Sequence, residues 1–216
     1  MGLWLAKDVH GVMIDDVAVF LDIATNAYFC LPGIGGVLRL DGRGLEVSVP
    51  GLADDLVASG LASERPTEET SLLPPPPRRT ARAVLKELGL APQARARGRH
   101  WRAAILAGLA NAVDQRRAFA QRLPAAPDRG ADPASLDLMA DLAAFRALAP
   151  WLPFDGACLY RSGLLRRYLA RLGHRVDWVF GVRTWPFAAH CWLQVGDMAL
   201  DDEAERLIAY HPILVR

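Results

Sequence analysis

Residues 154–173 read FDGACLYRSGLLRRYLARLG, residues 175–182 read RVDWVFGV, and residues 190–202 read HCWLQVGDMALDD. In the first stretch Cys158, Ser162, Leu165, Leu169 and Leu172 recur at helical spacing, which predicts an amphipathic helix ending at Leu172. Asp155 is a good N-cap and places Cys158 in the first turn, while Gly173 supplies a left-handed stop. In the second stretch Val176, Trp178, Phe180 and Val182 alternate with other residues, the signature of a strand. The third alternates again, with His190, Trp192 and Gln194 on one face and Cys191, Leu193 and Val195 on the other. Gly196-Asp197 is a two-residue hairpin turn leading into a third strand from Met198 to Leu200. Pairing Val195 with Met198 sets Leu193 against Leu200, Trp192 against Asp201 and Cys191 against Asp202, with His190 one step beyond. A helix followed by an antiparallel meander is an α+β arrangement.

This layout has chemical content. A thiol in the first helical turn sits beside unpaired N–H groups and the positive end of the macrodipole, which favour the thiolate. The same N–H groups, that of Cys158 included, can hold an oxyanion. A histidine opening a strand and an acid closing the next one can converge on that thiol, as thiol–imidazole–carboxylate catalysis requires. Asp202 lies nearer His190 in register than Asp201, which should share the face of Trp192, and a bulge in the hairpin would swap the two. Gln194 is a weak candidate for a second oxyanion donor.

The stretches CLYR (158–161), RLGHR (171–175) and HCWLQV (190–195), followed by Asp202, resemble the lasso peptide biosynthesis B protein family. The resemblance implies a transglutaminase-like (papain-like) fold and a leader peptidase, with Cys158 as nucleophile, His190 as base and Asp202 as the orienting acid. Two departures stand out. Cys191 replaces a small residue and Gln194 replaces an acid. Strand alternation turns Cys191 away from His190 and makes it a packing residue.

Toward the other end, residues 9–31 read VHGVMIDDVAVFLDIATNAYFCL and residues 52–61 read LADDLVASGL. Val17, Val19 and Leu21 alternate with Ala18, Phe20 and Asp22, Thr25-Asn26 punctuates, and Ala27 to Leu31 makes a further strand. Leu52 to Leu61 has the spacing of a short helix. The pattern resembles PqqD-like peptide-recognition domains, which are winged-helix-like with three strands and three helices. Such domains bind a leader peptide as an added strand, and backbone hydrogen bonds give generic affinity while side-chain pockets select. The resemblance makes Tyr28, Phe29 and Leu56 candidate leader-binding residues. Glycine-rich residues 33–44 stand where that family has a helix. A DNA-reading winged helix would carry a basic stripe, whereas this helix holds Asp54 and Asp55 and no Lys or Arg.

These readings divide the chain into a PqqD-like recognition domain (1–65), a proline-rich extended linker (66–79) and a transglutaminase-like cysteine protease domain (80–216). The last begins with helices over Thr80–Leu88, about Gln93–Leu123 and Ser135–Ala149. Trp101, Ile105, Leu109 (or Gly108) and Ala112 form the expected buried stripe of the second, and Pro124 to Pro133 reads as a loop. Arg95, Arg97, Arg99, His100 and Arg102 form a basic cluster, most simply a solvated face. The 216 residues are 52% hydrophobic and 23% charged with a net charge of +1, enough for a core and no pointer to nucleic acid. Three cysteines without C-x-x-C spacing suit neither a disulfide framework nor a metal site and fit a reducing cytoplasm. No apolar run reaches the length of a membrane span. The resemblance implies a precursor peptide and an asparagine-synthetase-like lasso cyclase as partners. The chain has no phosphate-binding loop, so no cofactor is expected on it and ATP enters only through the cyclase. Two other classes share these features: an acyl transferase of the same fold and a non-catalytic leader-binding adaptor.

Overall fold

The computed structural model describes residues 2–67, 73–90, 95–124, 134–152 and 157–216. Its first third is mostly strand: β1 (Leu3–Leu5), β2 (Val9–Ile14), β3 (Val17–Asp22), β4 (Ala27–Leu31), β5 (Leu38–Asp41), β6 (Gly44–Val47), α1 (Pro50–Ala58) and β7 (Ala62–Ser63). These strands form two sheets, β2-β3-β4 and β5-β6-β1-β7. The meander expected over residues 9–31 is present, turned at Asp15 and Asn26, which both take positive φ.

The winged-helix-like expectation of three helices needs correction, because α1 is the sole helix among the described residues of this part. Residues 33–44 explain the difference. Gly42 adopts φ 57° in the two-residue loop between Asp41 and Gly44, so this stretch turns β5 into β6 where a helix was expected.

β3 is apolar on both faces because it is covered on both. Ala18 and Phe20 pack with Leu3, Leu5, Leu38, Leu45 and Leu56, while Val17, Val19 and Leu21 join a larger core. That larger core includes Trp178, Phe180, Leu193 and Leu214 from the far end of the chain. The first sheet is thus a middle layer shared with the rest of the molecule. The imidazole of His10 on β2 is buried beside Arg216. Burial, followed by the charges of Arg216 and Arg43, holds its pKa down near 3.

The remainder runs β8 (Arg79–Thr80), α2 (Ala81–Glu87), α3 (Gly98–Asp114), α4 (Phe119–Arg122), α5 (Leu136–Leu148), a 3-10 turn (Ala149–Trp151), α6 (Cys158–Arg171), β9 (Asp177–Arg183), β10 (Ala188–Val195), β11 (Met198–Ala199), α7 (Ala204–Leu207) and β12 (His211–Val215). The strands form one sheet in the order β12-β9-β10-β11-β8, antiparallel except for the β11–β8 pair. Residues 68–72 of the linker region lie outside the described residues. Its proline segment is tied to the sheet: the Pro75 carbonyl accepts a 2.6 Å bond from Gln194 Nε2, and the Arg78 N–H donates to Asp197 O.

Two helical expectations change. The helix expected to run to Leu123 stops at Asp114, where Arg122 donates to the carbonyls of Gln115 and Arg117 and draws the chain into a turn. The start expected at Gln93 lies outside the described residues. The buried face of α3 is His100, Ala103, Ala104, Ala107 and Asn111, while Trp101, Ile105 and Leu109 are 40–62% exposed. Small residues face inward because α6 comes close. A Cβ on Gly163 of α6 would lie 3.0 Å from Asn111 Oδ1.

One buried carboxylate joins three helical segments. Asp141 on α5 is 2% exposed and receives Arg99 Nη2, His100 Nε2 at 3.1 Å and His174 Nε2 at 3.0 Å. Asp141→Ala would leave these donors facing an empty acceptor site. Removing one partner of a buried charged cluster costs about 3–5 kcal/mol, so denaturant unfolding should show a loss of that order.

Candidate active site

The first turn of α6 presents Cys158. Ala157 is the N-cap and makes no side-chain cap bond, and Asp155, the expected cap, lies outside the described residues. At the other end Gly173 takes φ 93°, with its N–H on Ala170 O and that of His174 on Leu169 O, a Schellman stop. Cys158 is the first helical residue, so its N–H belongs to the group that the helix leaves unpaired.

β10 brings up the imidazole. The hairpin pairs Val195 with Met198, and the Leu200 N–H binds Leu193 O, so the chain leaves the turn in the expected register. His190 Nε2 lies 2.6 Å from Asp202 Oδ2. The other carboxylate oxygen accepts the Glu203 N–H at 2.8 Å and Arg206 Nη1 at 3.3 Å, which fixes the carboxylate's orientation. The carboxylate accepts the Nε2–H bond and leaves Nδ1 for the thiol, whose proximity helps raise the His190 pKa. The ring stacks on Trp192 at 6.3 Å between centroids and meets Tyr210 at 5.5 Å.

Cys191 is more than packing. It is buried on the helix-facing side of β10, 3.4 Å from Ser162 Oγ, and close enough to Cys158 for each thiol to shift the other's titration. Ser162 is held by donating to Cys158 O at 2.7 Å and accepting Trp178 Nε1 at 2.8 Å. The hydrogen bond from Cys191 is the largest cause lowering the Cys158 pKa, burial opposes it, and His190 adds to it, so that the thiol falls to about 4. The His190 pKa is raised, chiefly by its hydrogen bond with Cys158 against the cost of burial, then by Asp202. Near neutrality the pair is therefore thiolate and imidazolium, an arrangement competent for nucleophilic attack on an acyl carbon.

Several expected residues fall elsewhere. Asp201 does not share the face of Trp192. The strand ends at Ala199, and the Asp201 carboxylate turns back to accept the Leu193 N–H at 2.8 Å. It lines a cavity of about 190 Å³ with Leu142, Phe145, Arg146 and Leu165. The residue keeps a little surface along that cavity but its carboxyl is enclosed, and burial raises its pKa to about 7. Gln194 is fully buried and bonded to Trp192 Nε1, Pro75 O and Gly196 O, so its amide is spent on the fold and is no oxyanion donor. Leu56 is 2% exposed in the first core and cannot touch a bound peptide.

Tyr28 and Phe29 lie on opposite faces of β4, paired with Leu21 and Phe20. Phe29 is exposed. Tyr28 meets Phe187 at 5.6 Å, and its phenol pKa is pushed to about 12 by burial and then by negative character at Cys191 and Cys158. The first sheet thus meets the connection between β9 and β10 through Tyr28. Neither Tyr210 nor Ser162 was singled out from the sequence for a role in the site. Ser162 did stand on the Cys158 face of the helix, whereas nothing local signals that β12 brings Tyr210 onto His190.

Among the described residues no cluster of three His, Cys, Asp or Glu could hold a metal ion, and no helix is long and apolar enough to cross a membrane. A family model described as the transglutaminase-like superfamily matches residues 101–215, just over half of the chain and all three of Cys158, His190 and Asp202. Comparisons with curated proteins and with solved structures gave no match.

Proposed function

The chain belongs to the transglutaminase-like superfamily, and from that premise we propose that it is a cysteine peptidase that removes the leader from a ribosomally made lasso peptide precursor. Superfamily members are commonly cysteine hydrolases or transferases. The observation that carries the reading is the 2.6 Å pairing of Asp202 with His190 at the thiol that opens α6, where the surroundings lower the Cys158 pKa and raise that of His190.

In this reading the thiolate of Cys158 attacks the scissile carbonyl carbon and the peptide bond becomes tetrahedral. The Cys158 N–H holds the oxyanion. His190 delivers its Nδ1 proton to the leaving amine, and the core peptide departs with a new amino terminus. Water then attacks the thioester, His190 takes its proton, and the released leader carboxylate leaves the thiolate restored. Asp202 keeps the imidazole in one orientation throughout.

The first sheet supplies the grip. β2 packs against β12, whereas β4 is an edge with an exposed outer row, open to an added leader strand. Tyr28 on that edge meets Phe187 from the connection between β9 and β10. Phe29→Ala should weaken leader affinity by about 5–30-fold, the usual weight of an aromatic anchor, when titrated on an inactive Cys158→Ala background. An asparagine-synthetase-like cyclase would take the released core, and any ATP requirement would belong to that partner.

The ion pair sets the pH profile. The thiolate forms as pH rises through about 4, and the imidazolium is lost only above its ordinary value of 6.5. Alkylation of Cys158 by iodoacetamide should therefore persist well below pH 8, the region where a free thiol loses reactivity. Cleavage should show an acid limb near 4 and an alkaline limb above 6.5.

Mass spectrometry of a leader-bearing precursor incubated with the protein, with and without a cyclase, tests the proposal. One cut at the leader–core junction supports it. Transfer of the acyl group to an added amine would make the protein an acyl transferase, and tight binding without cleavage in either arm would make it an adaptor.

A further inference from the structure

Two thiols meet at this site, and the reaction above uses only one. Cys158 is half-buried and open on one side, while Cys191 is 4% exposed beneath it. They come from the first turn of α6 and the middle of β10, and Ser162 Oγ joins the two, donating to Cys158 O at 2.7 Å and lying 3.4 Å from the Cys191 sulfur. Ser162 stands 3.4 Å from the Cys191 sulfur and is itself anchored by Trp178. The third cysteine, Cys30, is exposed on β4.

We propose that Cys191 is a resolving cysteine. When a hydroperoxide oxidises Cys158, Cys191 captures it as an intramolecular Cys158–Cys191 disulfide that a dithiol can reopen. The inference goes beyond the peptidase reading, since it holds for any acyl group that Cys158 accepts.

The chemistry balances in two steps. The Cys158 thiolate attacks the outer oxygen of the hydroperoxide. An S–O bond forms, the O–O bond breaks, and the departing oxygen takes a proton from His190. Sulfur has lost two electrons and the peroxide has become an alcohol, or water if the oxidant is hydrogen peroxide. The Cys191 sulfur then attacks the Cys158 sulfur. The S–S bond forms, the S–O bond breaks, and hydroxide leaves as water with the proton that Cys191 gives up. A dithiol supplies two electrons and two protons to reverse the outcome.

The environment favours this order. A thiolate at Cys158 is the stronger nucleophile of the pair and the one that solvent-borne oxidants reach. The hydrogen bond and charge of that thiolate hold the Cys191 pKa up, along with burial, while Ser162 pulls it down. Conversion of Cys158 to a neutral sulfenic acid removes the charge. Cys191 is then released to ionise at the moment when its attack is needed. Without a second thiol in reach, the sulfenic acid proceeds to sulfinic and sulfonic acids, which a thiol reductant does not reverse.

The test uses the reduced full-length protein. It is exposed to hydrogen peroxide at neutral pH, its free thiols are alkylated, and intact mass and a non-reducing peptide map are recorded. The expected result is loss of two hydrogens without added oxygen, a peptide linking Cys158 to Cys191, an alkylated Cys30, and recovery of both thiols with dithiothreitol. Cys191→Ala should instead gain oxygen on Cys158 that dithiothreitol does not remove. Cys191→Ser, of closer size and polarity, should do the same and guards against misfolding of the alanine variant. Wild-type protein that gains oxygen at Cys158 with no link to Cys191, or links Cys158 to Cys30, would overturn the proposal. The readout is mass, not peptide cleavage, so failure here leaves the peptidase reading standing, and failure of that reading leaves this one testable.

Discussion

Cys158→Ala is expected to lower kcat/KM for leader removal about a millionfold, the scale seen when the nucleophile of a catalytic group is deleted. The loss is large because the sulfur is the atom that forms the bond. No neighbour can replace it, since Cys191 lies buried beneath it, out of reach of a peptide carbonyl. Precursor affinity should stay within a few-fold of wild type, because the proposed strand-addition edge is β4. A drop in affinity that matched the drop in rate would instead place Cys158 among binding or structural residues. Cys158→Ser separates chemistry from packing. The hydroxyl fits the same space, but without a thiolate it cannot form the ion pair with His190, so its activity should also collapse while its unfolding curve remains close to wild type.

Asp202→Asn should cost about 10⁴-fold in kcat, by analogy with other triads in which an amide replaces the orienting carboxylate. The amide cannot accept the Nε2 proton as a carboxylate does, so the imidazole no longer presents Nδ1 in the productive tautomer. The alkaline limb of the pH profile should also move down, because Asp202 contributes to the raised His190 pKa.

The neighbouring Asp201→Asn makes the contrast. Its amide oxygen can still accept the Leu193 N–H, and the residue faces the cavity beside Arg146. Activity at pH 7 should change by less than about tenfold. Stability should change with pH instead. The folded Asp201 holds a proton up to about 7, whereas an unfolded aspartate releases it near its ordinary 3.8. Between those values the native state binds more protons than the unfolded one, so wild-type stability falls as pH rises through that window. Asn cannot ionise, so the variant should gain on wild type from pH 4 to pH 8 by an amount of order a few kcal/mol. Equal loss of activity in both variants would remove the distinction between the two acids.

What was legible in the sequence follows its local punctuation. Gly196-Asp197 set the hairpin register, and with it the adjacency of Asp202 to His190. Alternation in residues 177–183 and 190–195 correctly separated the helix-facing residues, Cys191 among them, from Trp192. The helix around Cys158 was legible from its apolar spacing and from Gly173. The face of α3 was not. Bulky Trp101, Ile105 and Leu109 suggested a core stripe, but close approach of α6 selects the Ala-rich side. The hairpin at residues 38–47 was hidden because glycine permits it without requiring it. Long-range contacts were out of reach altogether: neither the shared core between β3 and β9–β10 nor the contact of Tyr28 with Phe187 has any local signature.

Passage of a precursor acyl group through the Cys158 sulfur can be measured by rapid acid quenching of the reaction followed by intact and peptide-level mass spectrometry. A transient adduct of the leader is expected on the peptide containing Cys158, released on warming at neutral pH and undetectable in Cys158→Ala. Leader removal that continues in that variant, or an adduct on any other residue, would contradict it.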